Sequence, residues 1–355
     1  MTDNDTNTTA ASATPAPASS APIATVELGG PGGPRIGVQG FGCMGISEFY
    51  GDTDELSARD TLDAALEAGV TLFDTADIYG RGANEEFLAP FVGAHRDEIT
   101  LATKFAIERT DDPHHRVVRN DPAYIRTSVE ASLRRLNTDV IDLYYMHRHD
   151  PAVPFAESVG AMAELVQQGK VKQLGLSEVT GPELREAHAV HPIAALQSEW
   201  SLFSRDVERS AVGAAAELGV TLVPYSPLGR GFLTGSFTDA GRDLSEGDFR
   251  KRQPRFTGDN ARTNAALLEP VHKIAAAHGA TAAQVALAWV HQRAEVHGLT
   301  VVPIPGTRKR SRLQENVAAT HLTLTPEDLT LLEPIASRVA GDRYPDMSNT
   351  SAARE

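Results

Sequence analysis

Asp74, Tyr79, Lys104 and His147 are residue types that together can move a proton. A phenol has a pKa of about 10 and gives up its proton reluctantly at neutral pH. A neighbouring ammonium favours the phenolate and eases the transfer, and a carboxylate beside that ammonium keeps it charged and in place. Tyr79, Lys104 and Asp74 can supply that chain. A histidine N–H such as that of His147 can point at a carbonyl oxygen, polarising and orienting it. The set is a proton donor aimed at a developing alkoxide, which is what reduction of a carbonyl needs. No side chain can supply a hydride, so a cofactor must. Taken singly, each residue has a plainer reading as a loop cap, a half-buried aromatic, a solvated strand end or a core histidine. Only as a group do they favour the catalytic reading.

The elements that must position them follow from apolar runs ending in polar residues, at 71–74, 100–104, 142–147, 173–177, 195–197, 222–225 and 301–306. Helical apolar spacing separates most of them. Strand, polar tip and helix repeated about eight times predict an α/β fold, a (β/α)8 TIM barrel with its chemistry at the C-terminal strand ends. Strands are expected over 36–42, 70–74, 99–104, 140–147, 171–177, 194–199, 221–226 and 300–305. An N-terminal hairpin over 26–34 would plug the barrel floor. Helices are expected over 54–68, 84–92, 122–136, 155–168, 182–190 and 207–218. A long insert then separates strands seven and eight, with a polar stretch over 229–260 and helices over 263–278 and 282–293. Such an insert on the catalytic side usually serves as a lid or ligand clamp. Helices over 307–319 and 326–335 follow strand eight.

Among 355 residues, 41% hydrophobic content is ample for one core. The expected organisation is a disordered tail (1–22), a single barrel domain (23–340) and a flexible C-terminal tail (341–355). Residues 1–22 are mostly Thr, Ala, Ser and Pro and cannot bury enough surface to offset their ordering entropy. No apolar run approaches the roughly 20 residues of a membrane span. A net charge of −14 argues against nucleic acid or anionic lipid as a partner. The basic start and apolar stretch of a secretory leader are missing, so a cytoplasmic enzyme is expected. The single cysteine, Cys43, reads as packing. His147 and His149 could begin a zinc site, but no His or Asp at the tips of strands five, six or eight completes it, and no metal is expected.

Arg308, Lys309, Arg310 and Arg312 form a basic cluster at a predicted helix start after Gly306 and Thr307. Free backbone N–H groups and the helix dipole favour an anion there. Arg312, Glu315 and Asn316 share one helix face. An arginine suits a phosphate, while the carboxylate and amide suit a nucleobase and its ribose. A solvated basic face is the equal alternative. The loop 226–231 could bring backbone amides and Arg230 to a pyrophosphate.

The segments 73–80 (FDTADIYG), 102–104 (ATK), 142–147 (DLYYMH), 175–177 (GLS), 197–199 (QSE), 225–229 (YSPLG), 305–307 (PGT) and 313–316 (LQEN) resemble the aldo-keto reductases. The likeness runs from about residue 26 to 335, in order. The segments 41–45 (FGCMG), 147–148 (HR) and 248–250 (DFR) resemble its bacterial and plant aldehyde reductase branch, which includes pyridoxal-type reductases. The resemblance implies NADPH/NADP+ as cofactor, Asp74, Tyr79, Lys104 and His147 as catalytic tetrad, and Tyr79 as the acid. It further implies that Tyr225 stacks on the nicotinamide while Ser177, Gln197 and Glu178 hold its carboxamide, although relatives often carry asparagine at the last position. Gly45 and Asp74 are expected beside the cofactor. Ser226, Leu228, Arg230 and Gly231 would wrap the pyrophosphate. Gly306, Thr307, Lys309 and Arg312 would meet the 2′-phosphate, and Glu315 and Asn316 the adenine. A small carbonyl substrate would meet Tyr50, Tyr79, His147, Trp200 and the loop 106–121. Because potassium-channel β subunits also resemble this family, a cofactor-binding regulatory subunit with little turnover is the alternative. A barrel metallohydrolase is a weaker one.

Overall fold

The computed structural model describes residues 22–47, 50, 54–110 and 116–355, so the expected N-terminal tail lies outside the described residues except at Pro22. An antiparallel hairpin of β1 (Thr25–Glu27) and β2 (Arg35–Gly37) sets Val26 opposite Ile36. Its Leu28 and Ile36 are fully buried with the barrel residues Leu72, Leu143, Val223 and Val302, so the hairpin closes the floor as expected. Gly29 makes this seal possible. Its φ is +77°, and a Cβ there would meet the Ala194 Cβ at 2.9 Å.

The barrel contains β3 (Phe41–Gly42), β4 (Leu72–Asp74) and β5 (Thr100–Phe105). Past the tip of β5, β6 (Ile107–Arg109) and β7 (Arg116–Val118) form a separate antiparallel ribbon. Then come β8 (Ile141–Met146), β9 (Val171–Ser177), β10 (Ile193–Glu199) and β11 (Thr221–Tyr225). Seven strands pair in the order β11-β10-β9-β8-β5-β4-β3, all parallel.

Residues 300–305 close the ring without forming a regular strand, because Pro303 and Pro305 have no N–H to donate. Val302 and Ile304 donate to the Leu222 and Pro224 carbonyls at 2.9 and 3.0 Å, and Gly40 donates to Pro303 at 2.9 Å. The predicted strand 36–42 also divides, with one end in the hairpin and only Phe41–Gly42 in the barrel.

Helices cover the barrel close to their expected places. Pro122–Leu136 starts at Asp121, whose side chain accepts from the Tyr124 N–H, and ends at Asn137 with a left-handed backbone. Such a cap is worth about 1 kcal/mol. Its buried stripe of Ile125, Val129, Leu133 and Leu136 has helical spacing. The helix expected over 263–278 is two, Gly258–Ala266 and Glu269–His278. Pro270 cannot continue a preceding helix but suits the first turn of a new one.

The segment 341–355 departs most from expectation. It is packed across the catalytic end of the barrel, with Arg343, Thr350 and Ser351 buried and Arg354 donating to Glu183 and to the Glu178 carbonyl at 2.7 Å each.

Candidate active site

The strand tips open into one cleft of about 690 Å³. β4 ends in Asp74, β9 in Ser177 and β11 in Tyr225, while His147 directly follows β8. Register explains why Lys104 meets Asp74. Asp74 pairs with Ala102, and two residues further along β5 the side chain returns to the same face. The Lys104 ammonium donates to Asp74 and to the Thr75 carbonyl at 2.7 Å, and the Gln197 amide donates to the other Asp74 oxygen at 2.9 Å. Lys104 is 0% exposed and Asp74 2%. Burial pulls the ammonium pKa down and pushes the carboxyl pKa up, and each charge opposes the shift on the other.

The Tyr79 ring centroid lies 5.2 Å from the Lys104 nitrogen and edge-on to His147 at 6.1 Å. Among the described residues no hydrogen bond joins the Tyr79 hydroxyl to Lys104, whose protons go to Asp74 and Thr75. Burial, then the Asp74 charge, push the phenol well above its ordinary value. The expected lowering by Lys104 is therefore not met, and Tyr79 stays a fully protonated donor at neutral pH. Burial first, then the charges of Arg148, Lys104 and Arg116, push His147 well below its ordinary value, so the imidazole is neutral. Its Nδ1 is buried without a hydrogen-bond partner among the described residues.

At the far end the cleft is basic. Thr307, Lys309, Arg312, Glu315 and Asn316 line it beside Gly306, at the start of the helix Arg310–Ala318. Arg310 turns away to Asp60 and Glu67 at 3.1 and 3.3 Å, so it leaves the expected cluster. Arg308 donates to the Tyr50 carbonyl at 2.8 Å. Gly306 lies so close to Gly42 that a Cβ would sit 2.3 Å from its carbonyl oxygen.

Between the two ends, Ser226, Gly229, Arg230 and Gly231 all have positive φ and bend the loop tightly around the cleft. Gly45, Leu228 and Tyr50 line it too. Arg230 is paired with Glu199 at 3.1 Å and sandwiched by the Phe249 and Tyr344 rings at 5.1 and 4.6 Å. The insert meets Tyr50 through Phe249, ring to ring at 5.6 Å, and through Arg250 at 4.8 Å.

Two expected contacts are misplaced. Trp200 is fully buried outside the cleft, donating to Glu208 at 2.8 Å and packing edge-on against Trp289. Glu178 does not line the cleft, since its carboxylate is taken up by Arg343, Ser351 and Tyr225. Arg116, from the expected substrate loop 106–121, lines it, and so do Arg148 and Tyr344, which were not among the expected contacts. Arg148 donates to the His147 carbonyl and to the Ser177 hydroxyl at 2.7 and 3.2 Å. Its adjacency to His147 was the available signal. Tyr344 offered none beyond an aromatic in a polar tail. His149 stacks on Phe155 at 4.1 Å instead of joining His147. Among the described residues no group of three or more His, Cys, Asp or Glu could hold a metal ion.

Comparison with known proteins agrees with this geometry. Residues 40–336 match the Aldo/keto reductase family. A protein of Glycine max called probable aldo-keto reductase 1 is 42% identical over 329 residues, spanning 91% of this chain and 92% of its own. The glycerol dehydrogenase structure of Gluconobacter oxydans superposes with a TM-score of 0.78 at 28% identity, covering 91% of this chain and 98% of that one. The holo form of an aldo-keto reductase from Bacillus halodurans gives 0.71 at 25% identity, covering 91% and 100%. With the family match spanning most of its length and the barrel shared with these structures, the chain belongs to the aldo/keto reductase family of NAD(P)-dependent oxidoreductases.

Proposed function

We propose that the protein reduces an aldehyde or ketone to an alcohol with NADPH, using Tyr79 as proton donor. The observation that carries this reading is that Asp74, Tyr79 and a neutral His147 line one cleft, with the buried Lys104 paired to Asp74 behind it. The donor set fits a phosphorylated dinucleotide, with Lys309 and Arg312 toward its 2′-phosphate and Glu315 and Asn316 toward its adenine. Tyr225, Ser177 and Gln197 suit the nicotinamide end. Gln197 and Ser177 already serve Asp74 and Arg148, so each would share its polar group.

The bound cofactor supplies the hydride that these side chains lack. His147, neutral and lining the cleft, donates a hydrogen bond to the carbonyl oxygen and fixes its direction. As charge builds on that oxygen it becomes a far stronger base than a phenolate. Tyr79 can then deliver its proton even with a raised pKa, and the Arg148 charge, which favours the phenolate, steadies what is left behind. Arg116, Tyr50 and the β6–β7 ribbon border the side where the rest of the substrate would lie.

The test is an NADPH-oxidation screen over aromatic, aliphatic and pyridoxal-type aldehydes, with ketones and NADH as comparisons. Turnover of at least one aldehyde is expected. Tight NADPH binding with no turnover of any carbonyl would overturn the reading in favour of a cofactor-binding regulatory subunit.

A further inference from the structure

Glu178 directly follows the last residue of β9 and has a left-handed backbone, φ +53°. Its carboxylate accepts from two Arg343 nitrogens at 3.0 and 3.1 Å, from the Tyr225 hydroxyl at 2.8 Å and from the Glu199 N–H at 3.1 Å. The Ser351 N–H and hydroxyl complete the shell at 3.2 and 3.3 Å. Both side chains of the Glu178–Arg343 pair are 1% exposed. Burial alone would raise the carboxyl pKa, but the Arg343 and Arg148 charges and these hydrogen bonds outweigh it and hold it at about 2.

One carboxylate thereby fixes two rings of the cleft. Tyr225 is tied directly through its hydroxyl. Tyr344 is carried by its neighbour Arg343, lines the cleft, and shares a 3.3 Å contact with the Tyr225 hydroxyl. The Tyr344 ring also covers the Arg230 guanidinium. None of these ties is a contact with the reacting atoms, and all of them join the C-terminal segment to the strand tips.

We infer that Glu178 and Arg343 are positioning residues that clamp the C-terminal segment across the nicotinamide end of the cleft, holding Tyr225 and Tyr344 against the bound cofactor and slowing its release. The inference rests on the proposed NADPH site. A clamp acts on residence time more than on encounter, so its effect falls on the dissociation rate.

The experiment measures NADPH dissociation by stopped-flow fluorescence on the full chain, with thermal unfolding alongside, for wild type, Arg343→Met, Arg343→Lys and Tyr225→Phe. Arg343→Met is expected to speed release by about tenfold and Arg343→Lys to restore part of the loss. Tyr225→Phe removes one hydroxyl, keeps the ion pair, and should speed release about threefold. If Arg343→Met does not fold, Tyr225→Phe decides. Wild-type release rates in the folded variants would overturn the clamp while leaving the NADPH site intact. A wild-type protein that binds no NADPH would overturn the site itself, and the clamp with it.

Discussion

The two ends of the cleft handle charge in opposite ways. At the Tyr79 end, Lys104 and Asp74 are buried and already satisfied by each other, by Gln197 and by the Thr75 carbonyl. At the basic end the Arg312 side chain is 48% exposed and, among the described residues, held only by a 3.4 Å pair with Glu315. Buried charges depend on one another, so removing one harms the fold as well as the chemistry. Exposed charges cost the fold little and stay available to an incoming anion, at the mercy of salt. The contrast separates a buried, mutually satisfied pair from an exposed, weakly held basic surface.

Breaking the buried side should give the largest effect. Lys104→Met leaves the Asp74 carboxylate buried without its partner and is expected to cost roughly 3–5 kcal/mol of stability in urea unfolding. A loss under about 1 kcal/mol would mean that the two ends do not differ in this way.

The Glu178–Arg343 pair belongs with the buried end, and acid tests it. The folded carboxyl pKa of about 2 lies below its ordinary value of 4.5. The stability it contributes is therefore present above about pH 4.5 and lost as pH falls toward 2, by up to roughly 3 kcal/mol. Glu178→Gln should flatten that part of the stability–pH curve. An unchanged acid limb would remove the pair from the buried set.

The exposed end should give smaller, selective effects. Arg312→Ala is expected to weaken NADPH about tenfold, roughly 1.4 kcal/mol, while NADH changes little and stability stays within about 0.5 kcal/mol. Calorimetric titration with both cofactors checks this, and equal losses would show that Arg312 does not read the 2′-phosphate. Raising salt from about 0.1 to 1 M shortens the Debye length from about 10 to 3 Å. NADPH affinity should fall several-fold, with turnover at saturating cofactor nearly constant.

What the sequence made legible follows the same division. The Asp74–Lys104 contact could be read because strand tips recur and parallel register brings neighbouring tips together. The basic cluster could be read as a helix start, but not that Arg310 would turn to a helix some 250 residues away in the chain. Trp200 sits one residue beyond β10, where the alternation of strand faces no longer says which way a side chain points. Glu178 was misassigned because its partner lies 165 residues downstream, in a segment whose polar composition suggests disorder. A few side chains, Arg343, Tyr344, Ser351 and Arg354, tie that segment down, and composition averages them away. Strand eight was expected to be regular because its apolar run is clear, but two prolines make its bonding irregular.

The central claim is that Tyr79 delivers the proton to the carbonyl oxygen. Tyr79→Phe tests it most directly, with NADPH affinity from fluorescence titration and aldehyde turnover at saturating cofactor measured on the same preparation. Affinity within about threefold of wild type and turnover lower by roughly 10²–10⁴ are expected. Wild-type turnover in that variant would contradict it.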